Sequence, residues 1–399
     1  MATIRFLLRP GILSSSWFFL LLAHTFILQG VIIMVRVATS YRAATFGLDE
    51  FWIGVIGGAF GFVPALFGLH LGNVMDRYGE TKSLIAGSAL IVLACLLFWL
   101  TADTLPVLLI ASILLGLGQF ICVAGQQSSV ARAAPDGQRE SYFGRLTVSV
   151  SLAQAVGPMV IGLFGRHQLV PDIDGIFLAS SGTGVALLAL SCLLRIPFNA
   201  AEGNRLGVWQ TARFLLRDPA FLLSAIAGLV VFSAMDLLVI YLPLYGIERS
   251  IAAGTVGTLL ALRATASILS RLMFSRLFSW FGRGRLLIFS MLLAGIAIVL
   301  LTVNENPIFM SAAMLATGFG LGIGGPLTLA WITEICPSNM RAAGVSLRLA
   351  LNRVGQALLP IGVGGLVAGI GASGVLAVTG FSLLAMAAAT TRYFSLPRR

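Results

Sequence analysis

The sequence predicts an all-α membrane protein of twelve transmembrane helices in two pseudo-symmetric six-helix bundles. Composition, a succession of apolar runs and an internal repeat predict it. Of 399 residues, 58% are hydrophobic and only 10% charged, more apolar side chain than one soluble core can use. A bilayer core about 30 Å thick needs roughly 20 apolar residues per helix, and runs of that length alternate with short charged loops. A β-barrel is excluded, because its strands alternate over about ten residues instead of staying apolar for twenty.

Helix 1 is expected over 14–37, an apolar run too long for a cleaved signal, with Arg5 and Arg9 before it. An outer loop holding Asp49 and Glu50 leads to helix 2 (52–71), followed by helix 3 (83–101). Helix 4 (106–130) carries Gly116, Gly118 and Gly125 together with Gln119, Gln126 and Gln127, and helices 5 and 6 cover 142–165 and 175–197. Residues 198–220 are read as a cytoplasmic linker between bundles 1–197 and 221–399; Trp209, Phe214 and Leu215 make it either an interfacial helix or an irregular strap. The second bundle is expected at 221–246, 252–278, 284–303, 307–333, 341–369 and 372–394.

A net charge of +11 would suggest nucleic acid in a soluble protein, yet the bases are spread through loops instead of clustering on one domain. They report topology. With the N-terminus inside, eighteen of the 26 Lys and Arg fall on inner segments and three, Arg42, Arg166 and Arg249, on outer loops. That asymmetry puts both termini in the cytoplasm, and a bacterial inner membrane is the expected location. The other five, Arg36, Arg263, Arg271, Arg348 and Arg353, lie within helices. Cys95, Cys122, Cys192 and Cys336 show no metal or redox spacing and read as buried free thiols.

The repeat supports the architecture independently. Gly116, Gly118, Pro135, Arg139, Gln154 and Pro158 reappear 202 residues later as Gly318, Gly320, Pro337, Arg341, Gln356 and Pro360. The 45 glycines fit close helix packing in lipid, where small residues let backbones approach.

Residues 72–82 read GNVMDRYGETK, that is G-x-x-x-D-R-x-G with a base three residues on. The pattern resembles the loop between helices 2 and 3 of the major facilitator superfamily of secondary transporters. That resemblance implies a cytoplasmic gate of Gly72, Asp76, Arg77, Gly79 and Lys82, in which the glycines let helix ends approach and the Asp-Arg pair latches the halves. The spacing recurs at 275–285, SRLFSWFGRGR, with Ser279 in place of the second aspartate. A latch there leans on arginines, including Arg283, and Glu334 and Arg341 are expected to join it. Gly157, Pro158 and Gly162 resemble, incompletely, a motif of the superfamily's antiporters, which implies efflux; a packed, proline-kinked helix gives the same residues. Antiporters of the superfamily often carry an arginine four residues before the helix 4 glycine. This chain departs from that pattern with Ser112.

A charge inside a membrane helix costs at least about 2.5–3.5 kcal/mol near the centre, so each needs a reason. Arg263 and Arg353 are expected near the midplane, and Arg348, Asn352, Arg353 and Gln356 share one stripe of helix 11. Two midplane bases on helices 8 and 11 resemble the superfamily's carboxylate transporters, which implies a substrate site of Arg263, Arg353, Asn352 and Gln356, with Gln126 as a further candidate. A guanidinium forks onto carboxylate or phosphate. Binding an anion, permanent pairing with a buried acid, and gating remain open for these arginines. Asp236 and His24 are the candidate proton-coupling groups: burial without a partner would make Asp236 a proton carrier, whereas an adjacent arginine would hold it ionised. A packing role is the other reading of His24, and Arg36 is expected to snorkel to the outer interface.

The function expected is proton-coupled efflux of a small organic anion by alternating access. A multidrug antiporter for cationic or neutral compounds is the alternative, and a non-transporting receptor that of another class. No nucleophile, acid and base constellation or Walker lysine motif points to an enzyme. A monomer in contact with lipid is expected, without cofactor, metal or nucleic acid.

Overall fold

The computed structural model describes residues 16–101, 104–135, 138–196, 213, 215–336 and 341–395, without the side chains of residues 16, 69–77, 101, 140, 333 and 341–343. Among these residues there are eleven continuous helical stretches. One of them, Ala253–Leu301, breaks at Gly282, whose φ of 67° and ψ of 172° are not helical, and so comprises two helices. In chain order the helices are α1 Ser16–Thr45, α2 Glu50–Tyr78, α3 Glu80–Thr101, α4 Leu105–Ala133, α5 Arg139–Gly165 and α6 Ile173–Leu193. The second set is α7 Pro219–Glu248, α8 253–281, α9 283–301, α10 Pro307–Ile335, α11 Arg341–Leu366 and α12 Ala372–Ser395.

Ten of the eleven stretches are long and apolar enough to cross a membrane. The exception is α11, whose apolar run is interrupted by Arg348, Asn352, Arg353 and Gln356. Helices satisfy every backbone group internally, as hydrocarbon demands. Their starts are set locally: Asp172 accepts from Gly175 N, Asp218 from Ala220 N, and Asn306 from Ile308 N, with Pro219 and Pro307 in the first turns.

Two expectations change. The charged 72–82 stretch is not a loop of eleven residues: α2 runs to Tyr78, Gly79 alone (φ 83°) turns the chain, and α3 begins at Glu80. Gly79 and Gly282 lie 203 residues apart, and each takes a left-handed conformation that only glycine adopts without strain. Cys95, Cys122 and Cys336 are buried and outside any disulfide, but Cys192 is exposed near the end of α6.

The repeat is visible in contacts. A Cβ on Gly116 would lie 1.8 Å from Phe60 O, and one on Gly318 would lie 2.0 Å from Arg263 O, so α4 meets α2 as α10 meets α8. Across the halves, α2 packs on α11, α5 on α8 and α1 on α7. Gly54 faces Pro360 O, 2.3 Å from an added Cβ, and Gly257 faces Pro158 O at 2.5 Å. Both seams are therefore backbone to backbone at the end of the molecule away from the basic segments. Tyr241 ties that end further, its hydroxyl donating to Glu50 O or Pro360 O at 2.8 and 3.1 Å. The connection 198–220 lies largely outside the described residues; its Leu215 packs against Phe221, Ile332 and Cys336.

Candidate functional site

A chain of polar side chains crosses between the halves near the middle of the helices that carry it. Arg36 on α1 donates from Nη1 to Asp236 Oδ1 on α7 at 2.7 Å, an ion pair. Gln356 on α11 donates from Nε2 to Asp236 Oδ2 at 2.6 Å and accepts at Oε1 from Arg353 Nη1 at 2.7 Å. Arg353 Nη1 also reaches Gln119 Oε1 on α4 at 3.5 Å. The guanidinium of Arg36 lies over the Phe60 ring and that of Arg353 over Phe120. Asp236 is seventeen residues into α7, about 26 Å at 1.5 Å per residue, and Arg353 twelve into α11, about 18 Å.

Arg36 thus corrects its expected role. It does not snorkel, because α1 continues to Thr45 and leaves it nine residues, about 14 Å, from the helix end. It turns inward and is only 9% exposed. Neither Arg263 nor Arg353 is ion-paired with Asp236. Arg263 is 3% exposed, and its Nε and Nη1 have no hydrogen-bond partner. Asn352 Oδ1 is likewise buried without a partner. Arg348, also on the polar stripe, turns into the second bundle, donating from Nη2 to Gly325 O and Thr328 Oγ1 at 3.0 and 2.8 Å and lying over Phe232. On the other seam, Arg271 of α8 donates from Nη1 to Ser151 Oγ of α5 at 2.7 Å.

His24 and Gln126 sit elsewhere. Both are fully or almost fully buried inside the first bundle, where Gln126 Nε2 donates to His24 Nδ1 at 2.9 Å. The remaining ring nitrogen, Nε2, then carries the proton and donates to Ser191 Oγ at 2.8 Å, with Ser88 Oγ at 3.3 Å. The cluster joins α1, α3, α4 and α6, so it lies off the seam between the halves. Gln119, one of the three helix 4 glutamines, is the one that meets Arg353.

At the basic end, the side chains of Asp76, Arg77 and Arg341 lie outside the described residues, and Gly72 falls within α2. Lys82 is exposed, and Gly79 forms the turn. Arg283 pairs with Glu334, so the second half does not rely on arginines alone. Glu80, not singled out in the sequence, is buried and pairs with Arg132 at 3.0 Å while accepting from Ser128 at 2.8 Å. The signal that could have found it is the repeat: Glu80 and Arg283 are 203 residues apart, and Arg132 and Glu334 are 202. A small cavity, lined by Arg36, Thr39, Ser112 and Ile240 among others, adjoins the Arg36–Asp236 pair. Ser112 thus stands beside the α1 arginine.

The family model described as Major Facilitator Superfamily matches residues 17–252 and 246–399. An MFS-type transporter of Aspergillus niger, pynF, is 25% identical over 287 residues, covering 70% of this chain; the chain spans 63% of that relative's length. A Na(+), Li(+), K(+)/H(+) antiporter of Planococcus maritimus is 25% identical over 346 residues, 75% of this chain and 78% of that protein. Among solved structures, the nucleoside transporter NupG superposes with a TM-score of 0.79 at 12% identity, over 96% of this chain and 100% of that one. A POT family transporter in complex with 5-aminolevulinic acid superposes with a TM-score of 0.75 at 14% identity, over 93% and 95%. At these identities the structural likeness concerns the fold.

Proposed function

The chain belongs to the Major Facilitator Superfamily, and from that premise we propose a secondary transporter that exports a small organic anion by alternating access, coupled to protons. The two halves, 1–197 and 221–399, rock about the central site, and the basic end faces the cytoplasm of a bacterial inner membrane. The observation that carries the sign of the substrate is the state of Arg263 and Arg353. Arg36 and Gln356 occupy the two oxygens of Asp236, which leaves Arg353 bonded to amide oxygens alone and Arg263 with its buried Nε and Nη1 unpartnered. An anion supplies what these guanidiniums lack. Asp236 then couples: protonation loosens its hold on Arg36 and Gln356, and substrate binding at Arg353 competes with Gln356.

A thermal-shift screen of organic acids against lipophilic cations tests this, since a ligand that binds the folded state raises its stability. Stabilisation by acids, lost in Arg263→Gln and Arg353→Gln, is expected; stabilisation by cations alone overturns it. The antiporter named for Na(+), Li(+) and K(+) supports a second reading, in which Asp236 holds a cation or proton and the arginines are structural. Under it Asp236→Asn is the variant that loses the ligand.

A further inference from the structure

Resting on the anion reading above, we propose that the substrate carries two negative charges, and that Arg271 is one of the groups that recognise it. Five arginines lie within α1, α8 and α11 in the membrane, against one aspartate, Asp236, on the helices around them. Asp236 is paired with Arg36. Arg348 is satisfied inside its own bundle by Gly325 O, Thr328 Oγ1 and the Phe232 face. Three guanidiniums remain, Arg263, Arg271 and Arg353, and among the described residues no carboxylate pairs with any of them.

Their placement distinguishes them from structural arginines. They come from α8 and α11, the two helices by which the second half meets α5 and α2 of the first. Arg271 meets only the hydroxyl of Ser151 across one seam, and Arg353, beside the other, meets Gln119 of α4 in the first half. Ser151 and Arg353 are themselves equivalent in the 202-residue repeat, so the two seams are built differently at the same depth: a hydroxyl facing an α8 arginine on one side, an arginine on the other. Arg271 Nε and Arg263 Nε and Nη1 are buried and unpartnered. Arginine does not deprotonate to relieve such a site, and neutral oxygens compensate it less well than carboxylates do. A monoanion leaves two of the three positive charges uncompensated. A dianion leaves one and engages both seams.

The test uses the purified full chain in detergent and matched ligand pairs at constant ionic strength: succinate, glutarate and phthalate, each against its own monoamide. Ligand-induced shifts in Tm, titrated to apparent affinities, should favour the diacid of the bound pair by about tenfold or more, the factor expected of an added charge-assisted contact. In Arg271→Gln that preference should collapse while monoamide binding persists; in Arg348→Gln, a control for lost stability, the preference should survive a lower starting Tm. Equal binding of diacid and monoamide, or an Arg271→Gln variant that keeps the preference, overturns the dianion and leaves the anion reading intact. If neither diacids nor monoamides bind, the anion reading fails with it.

Discussion

Glu80 and Arg283 occupy equivalent places in the two halves and carry opposite charges. Each begins the helix that follows a left-handed glycine, and each pairs with the end of the next helix, Glu80 with Arg132 and Arg283 with Glu334. The repeat has kept the ion pair and reversed its polarity. Burial differs: the Glu80 side chain is 4% exposed, whereas that of Glu334 is 62% exposed. Removing one partner of a buried pair strands the other's charge and costs about 3–5 kcal/mol, whereas an exposed pair contributes about 0–1 kcal/mol. Glu80→Gln should therefore lower the unfolding temperature far more than Glu334→Gln. Equal losses would show that burial does not govern the two pairs.

The glycine seams make a second prediction. A side chain at Gly54 must displace the Pro360 carbonyl, and one at Gly257 the Pro158 carbonyl, so neither variant lets α2 close on α11 or α5 on α8. Gly54→Val and Gly257→Val should hold that end open. With the exposed Cys192 replaced, a reporter cysteine at Thr39, beside Arg36 in the cavity, should become labelled by an impermeant thiol reagent in both variants. Gly30 has nothing within 4 Å of an added Cβ, and Gly30→Val should leave the reporter as unreactive as in the parent.

What was legible in the sequence was whatever lipid dictates. Apolar run length fixes helices to within a few residues, as α3, α8 and α10 show, because hydrocarbon tolerates no exposed backbone. The errors have the same source. The apolar run of helix 1 ends at Val37, and polar residues follow, but Ser40, Tyr41 and Arg42 face protein, with Arg42 paired to Asp174, and α1 extends to Thr45. That shortening placed Arg36 at the interface and hid its pairing with Asp236. Gln119 and Gln126, two helical turns apart on one face of α4, could not be separated by periodicity. Only the packing of α4 among its neighbours decides that Gln126 meets His24 while Gln119 meets Arg353.

His24 supplies a third prediction. Its two ring nitrogens have partners on three other helices, and none of them is charged. His24→Leu should destabilise the first bundle by roughly 1–3 kcal/mol, because Gln126 is left without its acceptor. The pH profile of transport by the surviving protein should not move. A shift of that profile would make His24 a proton-coupling group after all.

The ion pair between Arg36 and Asp236 allows the sharpest separation of structure from transport. It joins α1 to α7, hence one half to the other, and Asp236 shares its second oxygen with Gln356. Arg36→Gln leaves a buried carboxylate facing only an amide, and Asp236→Asn leaves a buried guanidinium over Phe60. Each single change should cost about 3–5 kcal/mol, while Arg36→Gln with Asp236→Asn should cost much less than their sum, since no charge is stranded. Transport should behave differently. If the pair only clamps the halves, the double variant regains activity along with stability. If Asp236 exchanges a proton during the cycle, the double variant is stable and binds substrate, yet a proton gradient no longer drives net movement. Measuring unfolding and gradient-driven flux in liposomes on the same four proteins, parent, two singles and double, distinguishes a clamp from a coupling site, and recovery of both properties together would exclude the coupling role.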